Sequence, residues 1–242
     1  KYPNRPAGKL RTFAAMVDSM DQAIGRILQT IESRTDAANT IVLFMSDNGG
    51  VNKVGDNGEQ RGSKLTPYQG GIRVAAIARW PDGDLAGGRV SHTRMGYIDI
   101  MPTLLAAVGH NTPPAKTLDG VNALSAIRSN RPLPDRAWLT YTDQNGNARE
   151  QLALNHDGYK LVIHRDASDS PESRPALIEL FDIKADPTES TNLAESEPAT
   201  LNELTTALEN LMQLKSPQQV LRFRTGADEF TPPKDWSLRS LR

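Results

Sequence analysis

Asp47 and Asn48 stand just past the apolar run Ile41–Met45, and two glycines follow them at once in TIVLFMSDNGG. A carboxylate and an amide carbonyl are hard oxygen donors, suited to calcium or magnesium and poor for zinc or copper. The same residues also suit a tight turn that needs no metal. The stretch that comes next tilts the balance toward chemistry, because NGEQRGSKLTPYQGGIR carries Arg61 and Lys64. Cations beside a bound divalent ion hold the oxygens of a sulfate or phosphate and stabilise charge on a leaving oxygen. Elsewhere in proteins a loop lysine is usually just solvated. His92, in VSHTRMGYID ahead of an expected helix, could face the same site. His110, after a helix stop, and His164, inside an expected strand, read as structural, and with His156 the four histidines show no metal-binding spacing. Asp18 and Asp21 lie three apart beside an apolar stripe and read as solvated or capping acids.

These side chains need elements to place them. Residues 41–45 are apolar without alternation, the pattern of a strand covered on both faces, and ligands in open α/β sheets collect beyond the carboxyl ends of such strands. Ahead of it, Phe13, Met16, Val17, Met20, Ile24, Ile27, Leu28 and Ile31 follow a three-four spacing that predicts a helix over 10–32. Residues 49–71 hold seven glycines and predict a long functional loop. IRVAAIARW at 72–80 predicts a second buried strand. Asp99 is expected to cap a short helix that buries Leu104, Leu105 and Val108 and stops at Gly109. NTPPAK and RPLPDR bracket a weak helix near 121–127 and mark a boundary. Beyond it AWLTYT, EQLALN, YKLVIH and ALIELFD predict four antiparallel strands at 137–142, 150–155, 159–164 and 176–182. Leu201, Leu204, Leu208, Leu211 and Met212 predict a closing helix over that sheet, and the tail from Ser216 has no period.

Composition narrows the classes. The chain has 242 residues, is 38% hydrophobic and 24% charged, and carries a formal net charge of -1, which gives no broad pull toward nucleic acid or anionic lipid. Its basic residues are not interleaved with aromatics, no apolar run is long enough for a membrane span, and no phosphate-cradling glycine motif occurs. The absence of cysteine removes disulfides, thiolate metal sites and a cysteine nucleophile. A start at Lys1 with no apolar leader reads as a processed or truncated piece.

The succession MVDSMDQAIGRIL, TIVLFMSDNGG, RGSKLTPYQGGIRVAAIARWP, SHTRMGYIDIMPTLLAAVG and IELFDIKADPTESTNLA resembles, in order and over residues 10–195, the carboxyl-terminal half of a type I sulfatase of the alkaline phosphatase superfamily. The resemblance implies an α/β fold: part of an alkaline-phosphatase-like mixed sheet flanked by helices over 1–134, then a small antiparallel four-stranded sheet with a carboxyl-terminal helix over 135–215, and an extended tail over 216–242. It implies that Asp47 and Asn48 are two ligands of a calcium ion, with magnesium as the alternative, and that Lys64 touches the sulfate and the leaving oxygen. Arg73, Gly70 and Gly71 match a structural part of the same block, where Gln69 replaces the usual glutamate. The family's nucleophile is a formylglycine made in a C/S-x-P-x-R motif. This chain lacks it, since Ser173-Arg174-Pro175-Ala176-Leu177 has Leu177 where arginine is required. Two further aspartate ligands, the motif arginine, and a histidine and lysine upstream of the first helix also have no counterpart. The expectation is therefore a sulfuric ester hydrolase, arylsulfatase-like and periplasmic or extracellular. Its amino-terminal portion, a separate chain or lost fragment, would supply the nucleophile that attacks sulfur. The alternatives are a phosphonate or phosphate ester hydrolase of the same superfamily, and a non-catalytic fragment or interaction module.

Overall fold

The computed structural model describes residues 2, 7–110, 118–143, 149–166 and 176–212. The tail from Ser216, the connection containing QNGN, and most of DASDSPESRP lie outside the described residues. Helix α1 (Lys9–Glu32) follows the three-four apolar spacing. A single 3-10 turn leads into strand β1 (Val42–Met45), which pairs antiparallel with β2 (Ala76–Arg79), Val42 opposite Arg79 and Met45 opposite Ala76.

Two expectations change here. The apolar run at 72–80 does not begin as a strand. Gly71 N and Ile72 N both donate to Tyr68 O, and Arg73 N donates to Gln69 O, so α2 (Gln69–Ile72) is one helical turn and β2 is confined to its second half. Nor are β1 and β2 covered on both faces among the described residues: Leu43 is exposed and Ile77 is 63% exposed. Helix α1 is similar, with no buried residue and Met16 65% exposed.

Helix α3 (Ile100–Ala107) ends at Gly109, whose φ of 70° is left-handed, and His110 N closes back on Leu105 O. Leu104 and Leu105 are half-buried, but Val108 is exposed, contrary to expectation. Asp99 also does not cap α3. Its buried carboxylate accepts from Gly96 N and Val121 N and pairs with Arg136, which ties the 3-10 turn at 97–99 to the segment before α4 (Leu124–Ser129) and to the start of the next sheet.

That sheet is a meander of β3 (Trp138–Asp143), β4 (Arg149–His156), β5 (Tyr159–Asp166) and β6 (Leu177–Asp182), ordered β3-β4-β5-β6. Helix α5 (Pro198–Met212) packs Leu204 and Leu208 on one face, against Leu152, Leu154, Leu161 and Leu180. The other face presents Ala153, Val162 and Phe181, and Tyr68 from the glycine-rich loop packs there. The free edge of β6 is closed by DPTESTNLA. Leu180 N donates to Asn192 Oδ1, and Leu193 N donates to Leu180 O, which removes an open edge from pairing.

Candidate functional site

The segment after β1 and the glycine-rich loop are laced together through main-chain atoms. Ser46 N donates to Ala75 O, Gly49 N to Gly71 O at 2.8 Å, and Lys64 N to Gly50 O at 3.0 Å. Asn57 braces the same crossing, accepting from Gly50 N and donating to Gly50 O and Gly62 O. Glycine is required where the strands of this knot touch. A Cβ on Gly49 would lie 1.7 Å from Gly70 O, and one on Gly71 would lie 2.1 Å from Thr66 O. The pairs Gly49-Gly50 and Gly70-Gly71 are therefore two sides of one backbone contact.

The backbones of Asp47, Asn48 and Lys64 come close together in this knot. Asp47 is exposed at the end of β1. Asn48 is half-buried and donates its side-chain amide to Gly49 O. Lys64 follows on the neighbouring loop, exposed, with its main chain fixed two residues beyond Asn48. His92 lies elsewhere in the hydrogen-bond pattern: its N–H donates to Asn130 Oδ1 and the adjacent Thr93 hydroxyl donates to Arg131 O, both beyond α4. The described residues contain no group of three or more His, Asp or Glu side chains placed to hold a metal. Asp47 and Asn48 suit a hard cation by donor type, and two such donors would fill only part of a six- to eight-oxygen shell.

Sequence reasoning missed Tyr97. Its hydroxyl donates to Ser46 O at the end of β1, and burial followed by the charge of Asp47 raises its pKa. It also missed a network beneath the loop. Arg61 donates to Glu179 Oε1 at 2.8 Å, to Tyr68 Oη at 3.2 Å and to Glu189 O at 3.0 Å, and its guanidinium stacks 4.0 Å from the Tyr68 ring centroid. Tyr68 Oη donates to Glu179 Oε2 and lies 2.9 Å from His164 Nε2. The fully buried Glu189 pairs through Oε1 with the fully buried Lys160 and accepts Gln69 N–H on Oε2 at 2.8 Å. Removing one partner of such a pair typically costs about 3–5 kcal/mol. One signal was available: alternation along YKLVIH puts Lys160, Val162 and His164 on a single face of β5.

Burial opposes charge on Glu179, but contacts with His164, Tyr68 and Arg61 outweigh it and hold the carboxyl at about 2, against an ordinary 4.5. A carboxyl depressed in the folded state contributes stability above its unfolded pKa and loses it as pH falls through the folded value. Acid titration of the chain should therefore remove up to about 3 kcal/mol from this group between roughly pH 4.5 and 2. Glu179→Gln should be less stable at pH 7 and show a shallower acid limb by denaturant titration. An acid limb identical to wild type would rule out the depressed carboxyl.

Residues 1–110 match the family model described as Sulfatase. Human N-acetylgalactosamine-6-sulfatase is 36% identical over 134 residues, 53% of this chain and 25% of that protein. Human arylsulfatase A is 29% identical over 223 residues, 84% and 43% of the two chains, and a sulfatase of Formosa agariphila is 31% identical over 211 residues, 77% and 36%. The chain thus spans less than half the length of each of these relatives. Among solved structures, Ps i-CgsB superposes with a TM-score of 0.73 at 23% identity, covering 88% of this chain and 45% of that one. BT4656, in complex with its substrate D-glucosamine-2-N,6-O-disulfate, superposes with a TM-score of 0.61 at 22% identity, covering 81% and 39%. At these identities the likeness is one of fold.

Proposed function

The chain belongs to the type I sulfatase family, with its alkaline-phosphatase-like fold, and from that premise we propose that it supplies half of the metal and sulfate site of a sulfuric ester hydrolase. The observation that supports this reading is the main-chain bond from Lys64 N to Gly50 O, which brings the Lys64 backbone to the segment two residues beyond Asn48. The Asp47 carboxylate and the Asn48 carbonyl oxygen would hold calcium, with magnesium as the alternative. Bound there, the ion would polarise the oxygens of a sulfate ester. The Lys64 ammonium, with three donors and no acceptor, would take a sulfate oxygen and the leaving oxygen as charge develops on it. The chain has no cysteine, and the formylglycine nucleophile of the family would come from an amino-terminal portion.

The uncovered apolar surface supports such a partner. Met16, Val17, Met20 and Ile27 on α1 and Leu43 and Ile77 on the two-stranded sheet are exposed. Each such side chain gains about 1.5–3 kcal/mol when fully buried, so a surface of this kind favours a cover.

The test is complementation. The 242-residue chain, combined with an amino-terminal portion carrying an oxidised C/S-x-P-x-R motif, should hydrolyse an aryl sulfate. A chelator should abolish turnover and calcium should restore it, while neither portion turns over alone. Turnover on the matching aryl phosphate that exceeds turnover on the sulfate would replace this reading with a phosphate ester hydrolase. Absence of turnover on both, with the two portions associated, would remove the catalytic assignment.

A further inference from the structure

The network of Arg61, Glu179, Lys160 and Glu189 has no place in the chemistry above, yet it surrounds the loop that carries Lys64. Both feet of that loop are gripped by the carboxyl-terminal half of the chain. At the first foot Arg61 reaches Glu179 on β6 and the main-chain oxygen of Glu189. At the second foot Tyr68 Oη meets Glu179, and Gln69 N–H meets Glu189 Oε2. The feet also close on each other, since Gly70 N donates to Arg61 O at 2.7 Å. Lys64 sits on the exposed arch between them.

Glu189 is the central piece. It is fully buried, its two carboxylate oxygens serve two different elements, and its φ of 56° places a non-glycine residue in the left-handed region. Such a conformation persists where surrounding contacts over-determine it. Lys160 is presented by the same face of β5 that carries Val162 and His164, so the register of the sheet sets where the Glu189 carboxylate can lie. The contact uses the backbone N–H of Gln69, so it does not depend on the side chain at that position.

We propose that Glu189 and Arg61 are positioning residues: docking on the four-stranded sheet, they hold the 61–70 loop so that Lys64 meets the substrate oxygens beside Asp47 and Asn48. This rests on the reading of Lys64 given above. A loop displaced by an ångström would keep its lysine and lose its alignment, an error that can cost up to about 100-fold in rate.

A kinetic double-mutant cycle in the enzyme reconstituted from both portions tests this. Glu189→Gln should lower kcat about 10- to 100-fold. Added to Lys64→Ala, it should lower kcat no further, because no ammonium remains to be placed. Local amide exchange should rise at Gln69 and Gly70 while Leu152–Leu161 on β4 and β5 stay protected. If Glu189→Gln does not fold, Arg61→Lys serves in the same cycle, since it keeps a charge near Glu179 without spanning to Glu189 O. Losses that multiply in the double variant, or exchange that rises equally throughout the sheet, overturn the clamp and leave Lys64 as assigned. A Lys64→Ala enzyme with wild-type kcat overturns both.

Discussion

Lys64→Ala in the reconstituted enzyme should lower kcat about 10²- to 10³-fold, the typical loss on removing one donor from a developing oxyanion. The fold should not notice the change. The Lys64 side chain is exposed, and its structural contact is the N–H to Gly50 O, which alanine keeps. The denaturant midpoint of the variant should stay within about 0.5 kcal/mol of wild type. Lys64→Arg should recover only part of the loss, since a planar guanidinium cannot occupy the position of a compact ammonium. The measurement is steady-state hydrolysis of an aryl sulfate beside an unfolding curve. Unchanged kcat would take Lys64 out of the site, and a large fall in stability would make the loss of rate structural.

Among the described glycines, Gly49 would bring a new Cβ nearest to a neighbouring atom, and Gly49→Ala should be strongly damaging. The added methyl would sit 1.7 Å from Gly70 O and 2.9 Å from Gly71 Cα, both backbone atoms with no side chain to swing aside. Either the segment after β1 or the loop at 70–71 must move, separating Asn48 from Lys64. Overpacking of this kind costs about 1–3 kcal/mol or more, and the displaced site should lose at least about 100-fold in turnover. Gly25→Ala makes the contrast. That glycine lies within α1 with nothing within 4 Å of a new Cβ, and the change should stabilise the helix by about 0.4–1 kcal/mol. Paired unfolding curves of the two variants read the difference in sign. A Gly49→Ala protein with wild-type midpoint and turnover would show that the close approach of the two Gly-Gly pairs is not maintained.

Most elements were legible because they are local. The three-four spacing over 10–32 became α1 over Lys9–Glu32, and four short apolar runs became the β3–β6 meander. Where reading failed, a non-local atom competed with the local pattern. The run at 72–80 looks like one strand, but the packing of Gly70 and Gly71 winds its start into a helical turn. Asp99 precedes a helix and looks like its cap, yet Arg136 and the Val121 N–H draw its carboxylate elsewhere. Residues 41–45 read as covered on both faces, and among the described residues Leu43 is left exposed.

By itself the sequence determined the family blocks and the element types, and it placed hard oxygen donors at the end of a strand with a cationic glycine-rich loop next in order. Local periodicity and residue chemistry suffice for that. Only the tertiary structure decided that Lys64 is laced to Gly50, that Tyr97 reaches Ser46, and that Arg61 and Gln69 are held by Glu179 and Glu189, 118 and 120 residues away. Contacts across such separations follow from strand register and from which face of the sheet is left for the loop, and neither is written in the period of any single segment.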